Sequence, residues 1–252
     1  MVMVTQDSVS LFESGPRTTR VSVVVPLYNY EKSIVEALES VAAQSFRDLT
    51  VIVIDDCSED RSSEVVQAWM EKHADSGLGL MLNRNLANSR LATTRNTGLA
   101  LARSEFCFFL DADNAIYPRC LEKHVAALDA RPEAIAAYGL IEIFGARADI
   151  IGSNVFYRDR LRHGNYIDAM AMFRTRSLLA LEGYHDIRHG WEDYDLWLRL
   201  CAAGDHAVQV PEILSRYREH RASMLRTETN ITDNLRALKE GMARRHPWLD
   251  LH

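Results

Sequence analysis

Two aspartates one residue apart, Asp111 and Asp113, directly follow the apolar run 106–110. Carboxylates this close repel each other unless a positive charge lies near them. A divalent cation meets that need, because Mg²⁺ and Mn²⁺ accept carboxylate oxygens as ligands and a bound diphosphate can supply further oxygens. An Asp-x-Asp pattern also occurs in solvated turns and helix caps, so its chemical meaning depends on its position in the fold.

Polar clusters also follow two earlier apolar runs of strand length. Runs that are apolar throughout are typical of parallel strands buried on both faces of a sheet. Ligands of such sheets bind outside the carboxyl ends of the strands, so clusters that are distant in the sequence are expected to converge in space. The clusters that we expect to meet at this edge are 26–29, 55–58 and 111–113.

The spacing of the apolar residues predicts an α/β fold. In the first 115 residues, three strand–helix units precede a fourth strand. After Pro118 the pattern is mixed, with a helix and then short strands to about residue 173. The predicted strands are 21–25, 51–54, 78–82, 106–110, 206–210 and 213–217, and the predicted helices are 31–44, one that includes 65–70, 91–102, 119–130, 193–203 and 232–245.

The composition excludes several classes of protein. The chain has 252 residues with a formal charge of −6, which gives no basic excess for binding nucleic acid. No apolar run approaches the roughly 20 residues that span a bilayer. Residues 1–20 lack a basic segment followed by an apolar block, so we interpret them as a flexible tail without a secretory signal. The four cysteines are far apart in sequence, which indicates free thiols and a cytoplasmic protein.

Several short segments together resemble the family 2 glycosyltransferases that have the GT-A fold. The resemblance extends over about residues 21–224, in the family's order and approximate spacing. It implies a Rossmann-like α/β/α sandwich with a central mixed sheet. The segments that carry it are Val23-Val24-Val25-Pro26-Leu27-Tyr28-Asn29-Tyr30, 38–46, Val53-Ile54-Asp55-Asp56-Cys57-Ser58, 92–98, 110–113, Trp191-Glu192-Asp193 and 217–220.

The resemblance also implies a division of the chain. After the tail 1–20, residues 21–115 form the nucleotide-binding half. Residues 116–229 form the acceptor-binding half with the catalytic base, and residues 230–252 form a C-terminal helix. The region 136–166, where members of the family usually build the acceptor site, contains no motif that we can interpret.

The donor site implied by the resemblance uses residues from three of these segments. Asp56 matches an aspartate that accepts a hydrogen bond from the base. Because uracil and thymine carry an N3–H donor and cytosine does not, Asp56 favours a UDP- or dTDP-sugar. Arg90 and Arg95 approach the donor, where guanidinium groups pair with phosphate or fix the aspartates. The residues placed around the donor are Pro26, Tyr28, Asn29, Asp56, Arg90, Arg95 and Asp111.

The same resemblance assigns the metal and the base. Asp113 is the direct ligand of Mn²⁺ or Mg²⁺, supported by His220 and by Asp111, for which a role at the ribose is the alternative. Asn114 stands where many members have another aspartate. Asp193 is the base that deprotonates an acceptor hydroxyl, so that direct displacement inverts the anomeric carbon. The acceptor is a sugar, a lipid-linked or a small molecule.

Other interpretations of these residues remain open from the sequence. Acidic residues at 192–195 also stabilise a helix N-terminus, and Trp191 fits either an acceptor sugar or the core. His220 is equally compatible with a structural role. The basic segment after residue 215 suggests a loop that closes over the diphosphate, or a solvated run of charge. Its arginines are Arg216, Arg218, Arg221 and Arg226.

Three further classes of function compete with a single-addition glycosyltransferase. A processive polysaccharide synthase shares the donor motifs, but a Gln-x-x-Arg-Trp motif does not follow Asp193. A sugar-phosphate nucleotidyltransferase would have a glycine-rich phosphate loop after its first strand, and 25–29 contains no glycine. The one Gly-x-Gly, at Gly77 and Gly79, precedes a strand and lacks the third glycine of a dinucleotide site. A non-catalytic protein that binds sugar nucleotides is the remaining alternative.

Overall fold

The strands of the protein form a single mixed sheet. The computed structural model describes residues 3–220, 223 and 225–251. The predicted α/β class is therefore confirmed, with ten strands in that sheet among the described residues. The strands are β1 (Ser8–Ser14), β2 (Val21–Leu27), β3 (Leu49–Asp55), β4 (Gly79–Asn85), β5 (Phe106–Phe109), β6 (Ala115–Ile116), β7 (Ala134–Gly145), β8 (Asp149–Ile151), β9 (Ala171–Arg174) and β10 (His206–Glu219).

The helices connect these strands and cover both faces of the sheet. A short π-helical turn, Leu225–Thr229, follows the last strand. No helix in the described ranges is long and apolar enough to cross a membrane. The helices are α1 (Ile34–Ala42), α2 (Ser62–Lys72), α3 (Arg90–Leu101), α4 (Cys120–Asp129), α5 (Arg158–Leu161), α6 (Thr175–Ala180), α7 (Glu192–Ala202) and α8 (Thr232–Arg245).

The order of strands across the sheet is β1-β4-β3-β2-β5-β9-β7-β10-β6, and β8 pairs with β7. Strands β4, β3, β2 and β5 run parallel to one another, whereas β9 is antiparallel to both β5 and β7. The two predicted halves of the chain thus share one continuous sheet. Their division into a nucleotide-binding and an acceptor-binding half stays a prediction.

Alternate side chains of the central strands enter two separate cores. Val23 and Val25 of β2 pack with α1, α2 and α4 on one face of the sheet. Val24, between them, packs on the other face with α3 and α7. Since successive side chains of a strand point to opposite faces, a continuous apolar run is what a sheet covered on both sides requires. The predicted α/β/α sandwich is confirmed.

The first residues of the chain correct one expectation. The sequence predicts a flexible tail over residues 1–20, but in the described part of this segment β1 pairs antiparallel with β4 along the edge of the sheet. The backbone N–H of Gln6 also donates to Thr97 Oγ1 at 3.0 Å. An edge strand has one neighbour and much exposed surface, so it needs little of the apolar pattern that reveals a buried strand.

The two short strands predicted at 206–210 and 213–217 are one strand, β10. Its pairing with β7 shifts register between Val210 and Ile213. Pro211 lies in this interval and has no N–H to donate to the ladder, which explains why the sequence pattern breaks there although the strand continues.

Candidate active site

A cavity of about 900 Å³ lies where β2, β3 and β5 end. The predicted convergence of the three polar clusters at this edge is confirmed, since each contributes residues to the wall. Two predicted site residues, Arg95 and Asp193, are not in the cavity wall. The predicted residues that line it are Pro26, Tyr28, Asn29, Asp56, Arg90, Asp111, Asp113 and His220.

Asp56 is held in the cavity wall as a hydrogen-bond acceptor. Its side chain is 3% exposed. Its carboxylate accepts the backbone N–H groups of Ser89 and Arg90, both at 2.9 Å. Asn85 Nδ2 and Ser89 Oγ donate to the same carboxylate at 2.7 and 2.9 Å. These bonds fix the orientation of the group before any ligand binds.

Asp55, its neighbour, has a different role. It is fully buried and accepts hydrogen bonds from Arg84 Nη1 at 2.6 Å and from the backbone N–H of Ser58 at 2.9 Å. Asp55 therefore holds the turn after β3 in place, and Asp56 is the one of the pair that faces the cavity.

Tyr28 and Asn29 form the turn after β2. Tyr28 is 42% exposed, so its ring is free to contact a ligand. Asn29 has φ of 59°, a conformation that asparagine adopts more readily than most residues. Its Oδ1 accepts the N–H of Glu59 at 2.8 Å, and its own N–H donates to Ser58 Oγ at 3.0 Å. Asn29 thus joins the turns after β2 and β3.

Asp113 and His220 lie in direct contact. His220 Nε2 is 3.0 Å from Asp113 Oδ2. Burial and the charge of Asp111 raise the pKa of Asp113, and His220 opposes this shift. Burial and the charges of Asp113 and Asp111 also raise the pKa of Tyr30 above its usual range. A cation at this place would offset the excess of negative charge.

No group of three or more acidic, histidine or cysteine side chains in the described part of the chain is arranged to hold a metal ion. Asp111 is engaged by Arg95, which leaves Asp113 and His220 as the protein's donors. A carboxylate oxygen and an imidazole nitrogen are acceptable ligands for Mn²⁺, provided that phosphate oxygens and water complete the shell. The two residues fit such an ion, and their role as ligands stays a prediction.

Asn114 does not line the cavity. It is 2% exposed, and its Oδ1 accepts the N–H of Arg218 at 2.9 Å. This bond ties the turn after β5 to β10. The residue that replaces the family's further aspartate therefore holds the backbone near Asp113.

Arg95 lies beneath the cavity and not in its wall. Its guanidinium donates to Asp111 Oδ1 at 2.7 Å and to Glu192 Oε1 at 2.6 Å, and the side chain is 2% exposed. Gly98, one turn later, allows α3 to approach β2, because a Cβ there would meet Val24 at 2.4 Å. Of the two alternatives for Arg95, the structure thus shows contact with the acidic residues.

Replacing Arg95 by methionine is expected to destabilise the fold by about 3–5 kcal/mol, because it leaves Asp111 and Glu192 without their shared cation. Thermal unfolding would show this as a fall in Tm of roughly 10 °C. Arg90→Met is the matched control, since Arg90 makes an exposed ion pair with Asp186 at 2.9 Å. Equal Tm losses in the two variants would contradict the role of Arg95.

The N-terminus of α7 carries the predicted base. Glu192 lines the cavity and binds Arg95. Asp193 is half-buried and accepts hydrogen bonds from Asn165 Nδ2 at 2.9 Å and from the N–H of Tyr194 at 2.7 Å. Burial, followed by the charges of Glu192 and Asp168, raises the pKa of Asp193 well above its usual range. A raised pKa suits a carboxylate that must take up a proton.

The turn before α7 has an unusual backbone. His189 and Trp191 both have positive φ, of 74° and 67°. Such non-glycine conformations are costly and are found mainly where surrounding structure enforces them. The Trp191 ring packs edge-on against Tyr194 at 5.8 Å. Trp191 is thus half-buried against the core. Packing in the core is one of the two roles that the sequence left open for it.

Asp168, which follows the region 136–166, is a half-buried carboxylate that the sequence does not predict as a site residue. Its Oδ1 accepts the N–H of Met170 at 2.9 Å. Burial, and next the charge of Asp111, raise the pKa of Asp168 to about 6. Its charge in turn raises the pKa of Tyr217, which lines the cavity. No local motif marks Asp168, because it is the pairing of β9 with β5 that brings it near Asp111.

The basic segment after residue 215 consists mostly of paired arginines. Arg216 Nε binds Glu142 at 3.2 Å, and Arg226 Nε binds Glu219 at 3.0 Å. Arg218 lines the cavity, pairs with Glu36 and donates to the carbonyl of Asp113 at 3.2 Å. Arg221 lies outside the described residues. Closure of this segment over a diphosphate stays a prediction.

The C-terminal helix contacts α7 through Asp195. Asp195 is fully buried, and its carboxylate lies 2.8 Å from Arg199 Nε, 2.8 Å from Arg245 Nε and 2.9 Å from His246 Nε2. Residues at the end of α8 thus hold the helix that carries Asp193. The polarity of α8 in the sequence gave no sign of this contact.

Comparisons with known proteins agree with this geometry. The sequence model described as glycosyl transferase family 2 matches residues 22–182. EpsE of Bacillus subtilis, which is named as a proposed glycosyltransferase, is 31% identical over 212 residues, 82% of this chain and 74% of EpsE. The poly(ribitol-phosphate) β-N-acetylglucosaminyltransferase TarS of Staphylococcus aureus is 37% identical over 111 residues, 43% of this chain and 18% of TarS.

Solved structures show the same fold. The structure of residues 1–349 of S. aureus TarS in complex with UDP-GlcNAc matches with a TM-score of 0.71 at 20% identity, covering 92% of this chain and 68% of that one. The mannosyltransferase PcManGT of Pyrobaculum calidifontis, in complex with GDP-Man and Mn²⁺, matches with a TM-score of 0.63 at 24% identity, covering 84% and 60%. At such identities the likeness concerns the fold.

The fold and the match to the family together define a glycosyltransferase of the GT-A type. The chain belongs to glycosyl transferase family 2. The predicted family, fold and enzyme class are thereby confirmed.

Proposed function

We propose that the protein transfers a sugar from a UDP- or dTDP-sugar to an acceptor hydroxyl, with inversion at the anomeric carbon and with the help of Mn²⁺ or Mg²⁺. The observation that carries the proposal is one cavity whose wall contains Asp56, the contacting pair Asp113 and His220, and Glu192, next to Asp193. These groups are what base recognition, diphosphate binding and proton removal require.

Recognition of the nucleotide rests on Asp56. Its carboxylate is already oriented by four donors from Asn85, Ser89 and Arg90, so binding a base N–H needs little reorganisation. Tyr28 and Pro26 form an adjacent wall suited to the flat face of a base or to the ribose. The related TarS structures contain UDP-GlcNAc or UDP, which supports a uridine donor.

Asp113 and His220 would hold the divalent ion, with Asp111 fixed behind them by Arg95. When bound, the ion supplies Lewis-acid neutralisation of the charge that develops on the departing nucleoside diphosphate. Arg218, beside Asp113, adds a fixed positive charge to the same wall.

Asp193 would remove the proton from the acceptor hydroxyl. Asn165 fixes one carboxylate oxygen and the backbone of α7 fixes the other, so the group is oriented before the acceptor binds. A single base on the face opposite the leaving group gives direct displacement, which inverts the anomeric carbon. The four unpaired cysteines, two of them buried, support a reducing compartment such as the cytoplasm.

A thermal-shift panel tests the donor and the ion together. UDP and dTDP with Mn²⁺ are expected to raise Tm, because a ligand that binds only the folded state stabilises it by about 2.7 kcal/mol at 100 times its Kd. CDP, which lacks the N3–H donor, is expected to give a smaller shift. Asp56→Ala should remove the difference between UDP and CDP. Equal shifts with and without Mn²⁺ would contradict the metal dependence.

A further inference from the structure

Asp168 lies beside the end of β5. Strand β9 runs antiparallel to β5, with Met172 opposite Phe108. The residues before β9 therefore continue along the chain that follows β5, where Asp111 is found. The mutual repulsion of Asp111 and Asp168 agrees with this placement, since the charge of Asp111 raises the pKa of Asp168.

The same segment also reaches the predicted base. Asn165, three residues before Asp168, donates to Asp193 Oδ2 at 2.9 Å. The charge of Asp168 is among the causes of the raised pKa of Asp193. Asp168 is therefore brought near Asp111 by the pairing of β9 with β5, and it belongs to the segment whose Asn165 contacts Asp193. An acceptor hydroxyl that Asp193 deprotonates must bind next to this segment.

Asp168 has no cation of its own among the described residues. Arg95 directs its two terminal nitrogens to Asp111 and Glu192. Of the carboxylate oxygens of Asp168, Oδ1 accepts the N–H of Met170, and no described residue donates a hydrogen bond to Oδ2. A half-buried carboxylate without a paired cation is unfavourable for stability, so its presence beside a catalytic group indicates a use in ligand binding.

We propose that Asp168 determines acceptor specificity by accepting a hydrogen bond from a second acceptor hydroxyl, next to the one that Asp193 deprotonates. The inference rests on the proposed glycosyltransferase function. It assigns the acceptor to the sugars and polyols, with two hydroxyls on adjacent carbons at the reacting end.

The charge around Asp168 restricts the acceptor further. Burial and the charges of Asp111 and Glu192 raise the pKa of Asp168, and Arg95 opposes them. The charge of Asp168 in turn raises the pKa of Asp193. A phosphate or carboxylate placed here would be repelled, whereas a hydroxyl is a donor that a carboxylate accepts. An anionic group elsewhere on the acceptor must therefore lie away from the reacting hydroxyls.

Competition between simple alcohols and water tests the proposal without knowledge of the natural acceptor. The enzyme is incubated with Mn²⁺ and a UDP- or dTDP-sugar, and with equal concentrations of either propane-1,2-diol or propan-1-ol. The ratio of glycoside to free sugar is measured by mass spectrometry. The wild-type protein is expected to favour the diol per hydroxyl group by about tenfold or more, as one hydrogen bond to a charged group allows.

Asp168→Ala is expected to reduce this preference to less than about threefold, since the hydrogen-bond acceptor is lost. Asp168→Asn keeps the shape of the side chain and an oxygen acceptor. Its preference for the diol should therefore lie between those of the wild type and Asp168→Ala. Asp159→Ala, which removes an equal charge from an exposed position on α5, is the matched control and should retain the wild-type ratio. The ratio is internal to each reaction and does not depend on the overall rate.

An Asp168→Ala variant that keeps the full preference for the diol would overturn the proposal. So would a wild-type protein that treats both alcohols equally. If folded wild-type protein consumes none of the UDP- or dTDP-sugars with Mn²⁺, the proposed function itself fails, and this result is distinct from a changed ratio.

Discussion

Asp193→Asn is expected to lower the rate of glycosyl transfer by about 10³-fold while the protein still binds UDP with Mn²⁺. Removing a general base usually costs 10²–10⁴ in rate. The amide keeps the shape of the carboxylate and its contact with the backbone of α7 but does not accept a proton at neutral pH. The measurement is hydrolysis or transfer of a UDP-sugar, with UDP affinity determined in parallel by calorimetry.

Glu192→Gln separates the two carboxylates at the start of α7. Glu192 binds Arg95, so its replacement should weaken stability and positioning more than proton transfer. If Glu192→Gln lost activity and Asp193→Asn remained active, the base would be Glu192. Asp159→Asn, on the exposed side of α5, controls for the loss of one charge.

The raised pKa of Asp193 leads to two further expectations, one for the pH dependence of activity and one for the stability of Asp193→Asn. For the free enzyme, activity should rise with pH as Asp193 loses its proton, and the midpoint should lie well above the usual value of about 3.9 for aspartate. In the unfolded chain Asp193 ionises at lower pH than in the fold, so its contribution makes the protein less stable as pH increases through that interval. Asp193→Asn should therefore be more stable than the wild type at pH 8, and the difference should shrink toward pH 4.

The donor side of the site was largely predictable because its signals are local. Runs such as Val23-Val24-Val25 identify strands buried on both faces, and the polar residues that follow them must meet at one edge of a parallel sheet. This placement and the resemblance were enough to predict that Asp56 accepts a hydrogen bond from the base. Its hydrogen-bond partners, Ser89 and Arg90, belong to the next turn along the sheet.

The acceptor side was not predictable in the same way, because nonlocal pairing builds it. Asp168 comes near Asp111 only when β9 pairs with β5, although about a third of the family-matched region separates the two aspartates in the sequence. Nothing in the composition around Asp168 fixes that pairing or its register. Asn165 likewise contacts Asp193 only in the folded chain.

Arg95 links the two sides physically. One guanidinium nitrogen binds Asp111, next to the predicted metal ligand, and the other binds Glu192, next to the predicted base. In the sequence, Arg95 and Arg90 are similar arginines on one helix. Their difference arises from burial, since Arg95 is 2% exposed and Arg90 is 45% exposed by side chain. Arg95 therefore holds Asp111, on the predicted donor side, and Glu192, beside the predicted base, without lining the cavity itself.

Asp113→Ala is expected to remove most of the metal-dependent binding of UDP and to lower transfer by about 10²–10³-fold, because stabilising the leaving diphosphate is worth several kcal/mol. In the wild type, EDTA should weaken UDP binding and excess Mn²⁺ should restore it. In Asp113→Ala, EDTA should have little further effect, since the two changes remove the same interaction. Calorimetric titration of UDP with and without Mn²⁺ measures both quantities.

His220→Ala distinguishes a metal ligand from a side chain that only neutralises Asp113. If His220 binds the ion, its loss should raise the Mn²⁺ concentration needed for half-maximal UDP binding, and saturating Mn²⁺ should largely restore affinity. If His220 only contacts Asp113 Oδ2, its loss should not raise the Mn²⁺ concentration needed, because the carboxylate of Asp113 remains available to the ion. A strong response to EDTA in Asp113→Ala would show that the ion lies elsewhere, and Asp111 would then be the residue to test, together with its partner Arg95.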